Sequence, residues 1–213
     1  MNISRRKLIA VVGVGLFLAS SGVATTAYAA APDDEVAIDP YQPPFGEPSE
    51  VIYIDGPAPK PDEDSLISRS TTSAGDVFVY ETEDFPANPA PGETIRIVYT
   101  DSVTEVSAAA AGTCTKSISA DSPYKSGNRP RANGRGSISA GCGNEGMTLA
   151  IYNGWDMYAT NSWTVYAGGS VWQGSAVGDT CYYGYNTSFY SIAAWSGGGD
   201  VWSPTVTLPC RKF

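Results

Sequence analysis

The residues of this chain that could carry out chemistry are its carboxylates and cysteines, because the 213-residue sequence contains no histidine. Ser-His-Asp and Cys-His nucleophiles are therefore impossible, and the commonest general base and metal ligand is missing. We expect a protein that is not an enzyme and that uses no cofactor and no metal. A glycosidase-type pair of carboxylates remains open among four acidic residues: Glu145, Asp156, Asp179 and Asp200.

The four cysteines are predicted to form disulfides. Their spacing contains no Cys-x-x-Cys pair and fits no zinc motif. Four cysteines allow three pairings, of which we favour Cys114–Cys142 and Cys181–Cys210. Each of these two bridges would close a loop of about 29 residues and would stabilise the fold by about 3–4 kcal/mol on the chain-entropy model.

Aromatic residues near turns are the first candidates for a binding surface. All five tryptophans lie after residue 113, and Trp155 follows the turn signal Asn153-Gly154. Exposed rings on a β-sheet can stack on sugar rings, because they offer flat apolar area with a polar edge. The alternative is that the rings fill the core, which the mid-strand positions of Trp163 and Trp195 favour. The predicted ligand-binding aromatics lie beside turns and glycines: Trp155, Trp172, Trp202 and Tyr183.

A basic segment is the second candidate. Residues 121–136 carry four basic residues and one acidic residue, and they are predicted to form a loop. Such a loop can bind an anionic polymer, with cell-wall teichoic acid favoured over nucleic acid. An ordinary solvated loop is one alternative, and masking of the loop by the acidic N-terminal region is another. The charged residues predicted to bind ligand are Arg129, Arg131 and Arg135.

Residues 1–29 have the three parts of a secretory signal peptide. The positive start Arg5-Arg6-Lys7 precedes an apolar stretch from Leu8 to Ala19 and the small-residue site Ala27-Tyr28-Ala29. The apolar stretch is shorter than the ~20 residues that span a membrane. We therefore expect a secreted bacterial protein that is cleaved near Ala29 and has no membrane span, exported by the general or the twin-arginine route.

Residues 30–75 are predicted to form an acidic, proline-rich linker or pro-segment that is largely disordered. Between residues 30 and 100 the chain carries 15 acidic and three basic residues, whereas residues 101–213 are electrically balanced. So many prolines and charges leave too little apolar surface to offset the entropy of ordering. The exception is Val51-Ile52-Tyr53-Ile54, which can dock as a strand or serve as a recognition patch.

Residues 76–112 are expected to form a hairpin or extra strands with a connector, and residues 113–213 to form a β-sandwich. The β-branched and aromatic stretches 76–81 and 94–99 predict strands that pair with each other or join the main sheet. Apolar alternation over 147–152 predicts a strand with one buried face, followed by a hairpin. Further strands are predicted at 114–119, 136–142, 157–167 and 177–183.

A resemblance to known proteins rests on four features in the second half of the chain: Pro123-Tyr124-Lys125, the strand that ends at Cys142, Cys181 before a tyrosine-rich strand, and the ending 203–210. With them the chain resembles small secreted immunoglobulin-like β-sandwich proteins of Gram-positive bacteria. The resemblance covers roughly residues 114–210 and none of the acidic region. It implies a disulfide-stapled antiparallel sandwich and carries no activity.

These patterns favour a secreted binding or interaction module at the cell envelope, with a polysaccharide or cell-wall polymer as its ligand. The first alternative is an antimicrobial or toxin-like protein that its acidic extension keeps inactive. The second alternative is a carboxylate-dependent glycoside hydrolase.

Overall fold

The computed structural model describes residues 47–81, 85–182 and 184–210. The predicted signal peptide, residues 1–29, and the linker up to residue 46 lie outside the described residues. Within them the chain is all-β, as predicted, with fourteen strands, one 3-10 turn and no α-helix. The strands are β1 (Glu50–Tyr53), β2 (Leu66–Thr72), β3 (Gly75–Tyr80), β4 (Thr94–Val98), β5 (Ser102–Ala108), β6 (Thr115–Asp121), β7 (Tyr124–Ser126), β8 (Arg129–Ile138), β9 (Glu145–Asn153), β10 (Asp156–Val165), β11 (Val171–Val177), β12 (Thr187–Trp195), β13 (Asp200–Trp202) and β14 (Val206–Leu208).

These strands form two sheets. The larger sheet runs in the order β1-β4-β5-β6-β8-β11-β3-β2, and β7 also pairs with β8. The smaller sheet runs in the order β10-β9-β12-β13, and β14 also pairs with β12. β1 and β4 are parallel, whereas the other described strand pairs are antiparallel. Parallel neighbouring strands cannot be joined by a tight turn and need a crossover connection. Here β2 and β3 lie between β1 and β4 in the chain.

The main core lies between the two sheets. The predicted alternation in β9 is confirmed, since Met147, Leu149 and Ile151 are at most 1% exposed. Phe189 of β12 and Ile118 of β6 belong to the same buried cluster. This cluster holds the smaller sheet face to face on the larger one.

Both predicted disulfides are present with the favoured pairing. Cys114–Cys142 joins the segment before β6 to the segment after β8, with Cα atoms 4.9 Å apart. Cys181–Cys210 joins the segment after β11 to the segment after β14, with Cα atoms 4.6 Å apart. The second bridge is buried and ties the larger sheet to the end of the smaller one.

The structure corrects the predicted linker, because the described part of residues 30–75 contains two strands. The Val51–Ile54 patch docks as a strand, since β1 pairs with β4 and places Ile52 beside Ile97. β2 pairs with β3 although all seven β2 residues are exposed. A strand without a buried face has no apolar alternation, so its side chains give no periodic signal.

Strands from both sides of residue 113 share the larger sheet, so of the two alternatives expected for residues 76–112 the structure has the extra strands. β3 pairs with β11, which places Val77 beside Gly174, and β5 pairs with β6, which places Val103 beside Ala120. The stretches 76–81 and 94–99 therefore join the main sheet and do not pair with each other. Such long-range pairing leaves no local pattern in the sequence.

Close packing between β10 and β11 requires glycine at position 174. A Cβ atom at Gly174 would lie 2.2 Å from the ring of Trp163, well inside van der Waals contact. Gly143, in the loop before β9, has open space instead, with no atom within 4 Å of a Cβ placed there.

Replacing Gly174 with alanine should lower the free energy of unfolding by about 1–3 kcal/mol, because Trp163 must leave its packed position. The matched control Gly143→Ala should change it by less than about 0.5 kcal/mol. Urea unfolding of the two variants measures this difference. Equal stability of the two variants would contradict the packing described above.

A chain trimmed to residues 113–213 should not unfold cooperatively. It keeps β6, β8 and β11 but loses β5 and β3, which pair with the two outer strands of that group. The cut would expose two unpaired edges and part of the apolar core. Circular dichroism during urea titration checks this, with residues 47–213 as the reference. A cooperative transition of the trimmed chain would show that β1 to β5 are dispensable.

Candidate functional site

An aromatic cleft of about 560 Å³ opens between the smaller sheet and one edge of the larger sheet. β1, β4 and β5 supply one wall, whereas the turn between β9 and β10, β12 and the end of β13 supply the other. Two of the predicted ligand-binding aromatics, Trp155 and Trp202, share this cleft. The residues that define the aromatic cleft are Tyr53, Trp155, Tyr190, Trp202 and Pro204.

Turn geometry places Trp155 at the tip of a hairpin. The pairing of β9 with β10 ends at Asn153 and Asp156, so Gly154 and Trp155 form a two-residue turn. Gly154 has a φ of +59°, and no described non-glycine residue has a positive φ, which fits a type II′ turn. The predicted hairpin is confirmed, and Trp155 is 93% exposed. A ring at the tip has no core to pack against, so both of its faces can meet a ligand.

Three stacked rings lie on one face of the smaller sheet, and two of them, Tyr190 and Trp202, line the cleft. Tyr152, Tyr190 and Trp202 come from the adjacent strands β9, β12 and β13. The ring centroids are 5.4 Å apart for the tyrosine pair and 5.3 Å apart for Tyr190 and Trp202, and the planes are almost parallel. The Tyr190 hydroxyl donates a 2.8 Å hydrogen bond to the Gly154 carbonyl, which fixes the hairpin against the ladder. Burial raises the pKa of Tyr190, so this hydroxyl stays protonated.

The wall on the larger sheet includes Tyr53, which is not among the predicted ligand-binding residues. Tyr53 ends β1 beside Val98 and is 79% exposed. Its position depends on the pairing of β1 with β4, which the prediction of a disordered linker did not include. The Val51–Ile54 stretch was the one signal that could have identified it, and that stretch contributes Val51 as well.

A buried ion pair lies behind this wall. Arg96 lines the cleft, is 7% exposed and pairs with Glu105 on the neighbouring strand β5. Its Nε donates a 2.6 Å hydrogen bond to a Glu105 oxygen. Burial raises the pKa of Glu105, against the lowering effect of Arg96, and the nearby carboxylate of Asp200 raises it further. The pair leaves the back of the cleft without net positive charge.

Replacing Arg96 with methionine should destabilise the protein at pH 7 by about 3 kcal/mol, because Glu105 then stays buried without a counter-charge. A carboxyl with a raised pKa binds protons more readily in the folded state, so the lost stability should return as the pH falls toward 5. Melting temperatures at both pH values measure this. The double variant Arg96→Met/Glu105→Gln should lack the recovery, and recovery in both variants would contradict the assignment.

One of the predicted aromatic ligand residues, Trp172, lies outside this cleft. Trp172 is half-buried on β11, where it packs against the core and lies 5.1 Å from the Tyr166 ring. Its Nε1 is buried and has no hydrogen-bond partner among the described residues. Tyr183 lies outside the described residues. The core positions predicted for Trp195 and Trp163 agree with the structure, which buries the first and packs the second against the core.

The predicted basic loop is corrected, because residues 121–136 contain β7 and most of β8. Arg131 donates to Asp76 at 2.6 Å, and Arg135 donates to Asp121 at 2.5 Å and to the Pro59 carbonyl at 2.7 Å. The charges of Arg131 and Arg135 are therefore neutralised by carboxylates of the fold. None of the three predicted arginines lines the aromatic cleft. Arg129 is exposed at the start of β8.

Asp76, which pairs with Arg131 on β8, belongs to the acidic half of the sequence. Hydrogen bonds from Thr71 and then Arg131 lower the pKa of Asp76. By contrast, burial raises the pKa of Asp121 despite its pairing with Arg135. Because Asp76 lies on β3, opposite Thr71 of β2, and β3 lies between β2 and β11, Asp76 is part of the sheet and not of a removable mask.

The candidate carboxylates have separate roles. Glu145 pairs with Lys116 and accepts a 2.8 Å hydrogen bond from the Gly197 amide. Asp200 accepts a 2.5 Å hydrogen bond from Trp202 Nε1, and both Asp156 and Asp179 are exposed. Among residues 47–81, 85–182 and 184–210, no group of three acidic, cysteine or histidine side chains is placed to hold a metal ion.

Comparison with known proteins gives no relative for this chain: no family model, no curated protein and no solved structure matches it. Within the described part of the chain, no helix has the length and apolar character needed to cross a membrane.

Proposed function

We propose that this protein is a secreted, non-enzymatic binding module that recognises a polysaccharide or cell-wall polymer at the cell envelope. The observation that carries the proposal is the aromatic cleft, in which two strongly exposed rings, Trp155 and Tyr53, come from different sheets. A polymer seated in the cleft would contact both sheets at once.

Sugar recognition fits the chemistry of these walls. A pyranose ring has an apolar face that stacks on a flat aromatic side chain, while its hydroxyls remain at the edge. Exposing large rings such as Trp155 to water is unfavourable, and clustered exposed apolar side chains mark interaction sites in soluble proteins. Thr205 lines the same cleft and is exposed, so its hydroxyl can hydrogen-bond a ligand.

The two disulfides support the proposed extracellular location, because such bridges persist in oxidising compartments. The proposed relationship to immunoglobulin-like sandwiches is supported by two packed sheets with mostly antiparallel strands. The larger sheet has nine strands, which is more than one sheet of such a domain usually contains.

Binding to purified cell walls tests the proposal. Trp155→Ala should weaken co-sedimentation roughly tenfold or more, because truncation of an anchoring aromatic removes about 2 kcal/mol of binding energy. Tyr53→Ala should also weaken co-sedimentation. Both residues are exposed, so the melting temperatures should stay close to that of the parent protein.

The matched control is Tyr166→Ala, which removes a ring that is 52% exposed and does not line the cleft. Its binding should equal that of the parent protein. Binding that survives both cleft substitutions, or that falls equally in the Tyr166 variant, would overturn the proposal.

A further inference from the structure

The aromatic cleft has no net positive charge on its walls. Of the described residues that line it, only Arg96 is charged, and Glu105 neutralises that charge. The other lining residues are aromatic, aliphatic or neutral and polar. An anionic polymer would find no unneutralised cation on these walls, so the cleft does not suit the polyanions that the basic segment suggested.

Carboxylates lie close in the sequence to three of the aromatic residues that line the cleft. Asp156 follows Trp155 directly in the hairpin and is exposed. Asp200 lies against Trp202, 2.5 Å from its Nε1. Asp55 follows two residues after Tyr53 and is exposed. Each of the three most prominent rings therefore has an acidic neighbour.

Three cations elsewhere in the fold are held by other carboxylates. Lys116 pairs with Glu145, Arg131 with Asp76, and Arg135 with Asp121. The chain as a whole carries a net charge of −9. Because the described cleft walls hold no unpaired cation, no charge on them repels a positively charged ligand.

Aromatic faces and carboxylates favour the same kind of ligand group. The negative face of a tryptophan or tyrosine ring attracts an organic cation within about 6 Å. A carboxylate adds a charge-assisted hydrogen bond to an ammonium group. The two together select an ammonium over a neutral amide of similar size.

We propose that the aromatic cleft binds a sugar polymer that carries positively charged amino groups. This inference rests on the proposed function and names its ligand class. The sugar ring stacks on Trp155, and the amino groups bind Asp156 and Asp200 at the rim.

Two oligomers with the same ring backbone test the inference at mildly acidic pH, where the free amino groups of one are protonated and the amides of the other stay neutral. β-1,4-linked glucosamine hexamer carries amino groups, whereas N-acetylglucosamine hexamer has the same ring backbone with neutral amides. Isothermal titration of the purified protein should show about tenfold tighter binding of the amino oligomer at low salt. The difference should shrink at high salt, because screening weakens charge attraction at exposed sites.

Substitutions separate the charge contribution from the stacking. Asp156→Asn/Asp200→Asn should bring the preference for the amino oligomer over the acetylated oligomer close to one. The matched control is Glu81→Gln, an exposed carboxylate after β3, far along the larger sheet from β1. That variant should keep the preference. Trp155→Ala should weaken the binding of both oligomers.

The outcomes distinguish the inference from the proposed function. Equal or tighter binding of the acetylated oligomer, or an unchanged preference in the double aspartate variant, overturns the inference and leaves sugar binding intact. Binding of neither oligomer, together with cell-wall binding that does not depend on Trp155, overturns both.

Discussion

Backbone pairing between the two halves of the chain is the interaction on which the rest of the structure depends. β3 pairs with β11 and β4 pairs with β5, so two strands from the acidic region, residues 30–100, become inner strands of the larger sheet. The core against the smaller sheet forms on this surface, and Val103 of β5 belongs to it. The acidic half is therefore a structural part of the domain, and both cleft walls exist only in the assembled fold.

The cleft arises where this assembly leaves the sheets unequal. The larger sheet continues past β5 to β4 and β1, whereas the smaller sheet ends at β13. Tyr190 and Trp202 alternate along their strands with the core residues Phe189 and Val201, so they lie on the other face of the smaller sheet and are only half-buried. They pack on each other in a ladder, and the ladder leaves apolar surface open to a ligand.

Charge is divided in this fold according to burial. Arginines inside the larger sheet are paired, as Arg96 is with Glu105 and Arg135 is with Asp121. Such pairs mainly offset the cost of removing charges from water and contribute little net stability. Asp55 and Asp156, which follow the cleft residues Tyr53 and Trp155 in the chain, remain exposed. This distribution of charge supports the proposed preference for a cationic ligand.

The sequence by itself determined the local features. It indicated the all-β class, the alternation of β9, the hairpin that exposes Trp155 and the favoured disulfide pairs, because each follows from neighbouring residues or from cysteine spacing. Only the tertiary structure decided that β1 and β2 belong to the sheet, that Arg131 and Arg135 are held in ion pairs, and that Tyr53 shares a cleft with Trp202. These outcomes depend on partners distant in the chain. Backbone hydrogen bonds and charge pairing across such distances leave no periodic trace in the residues themselves.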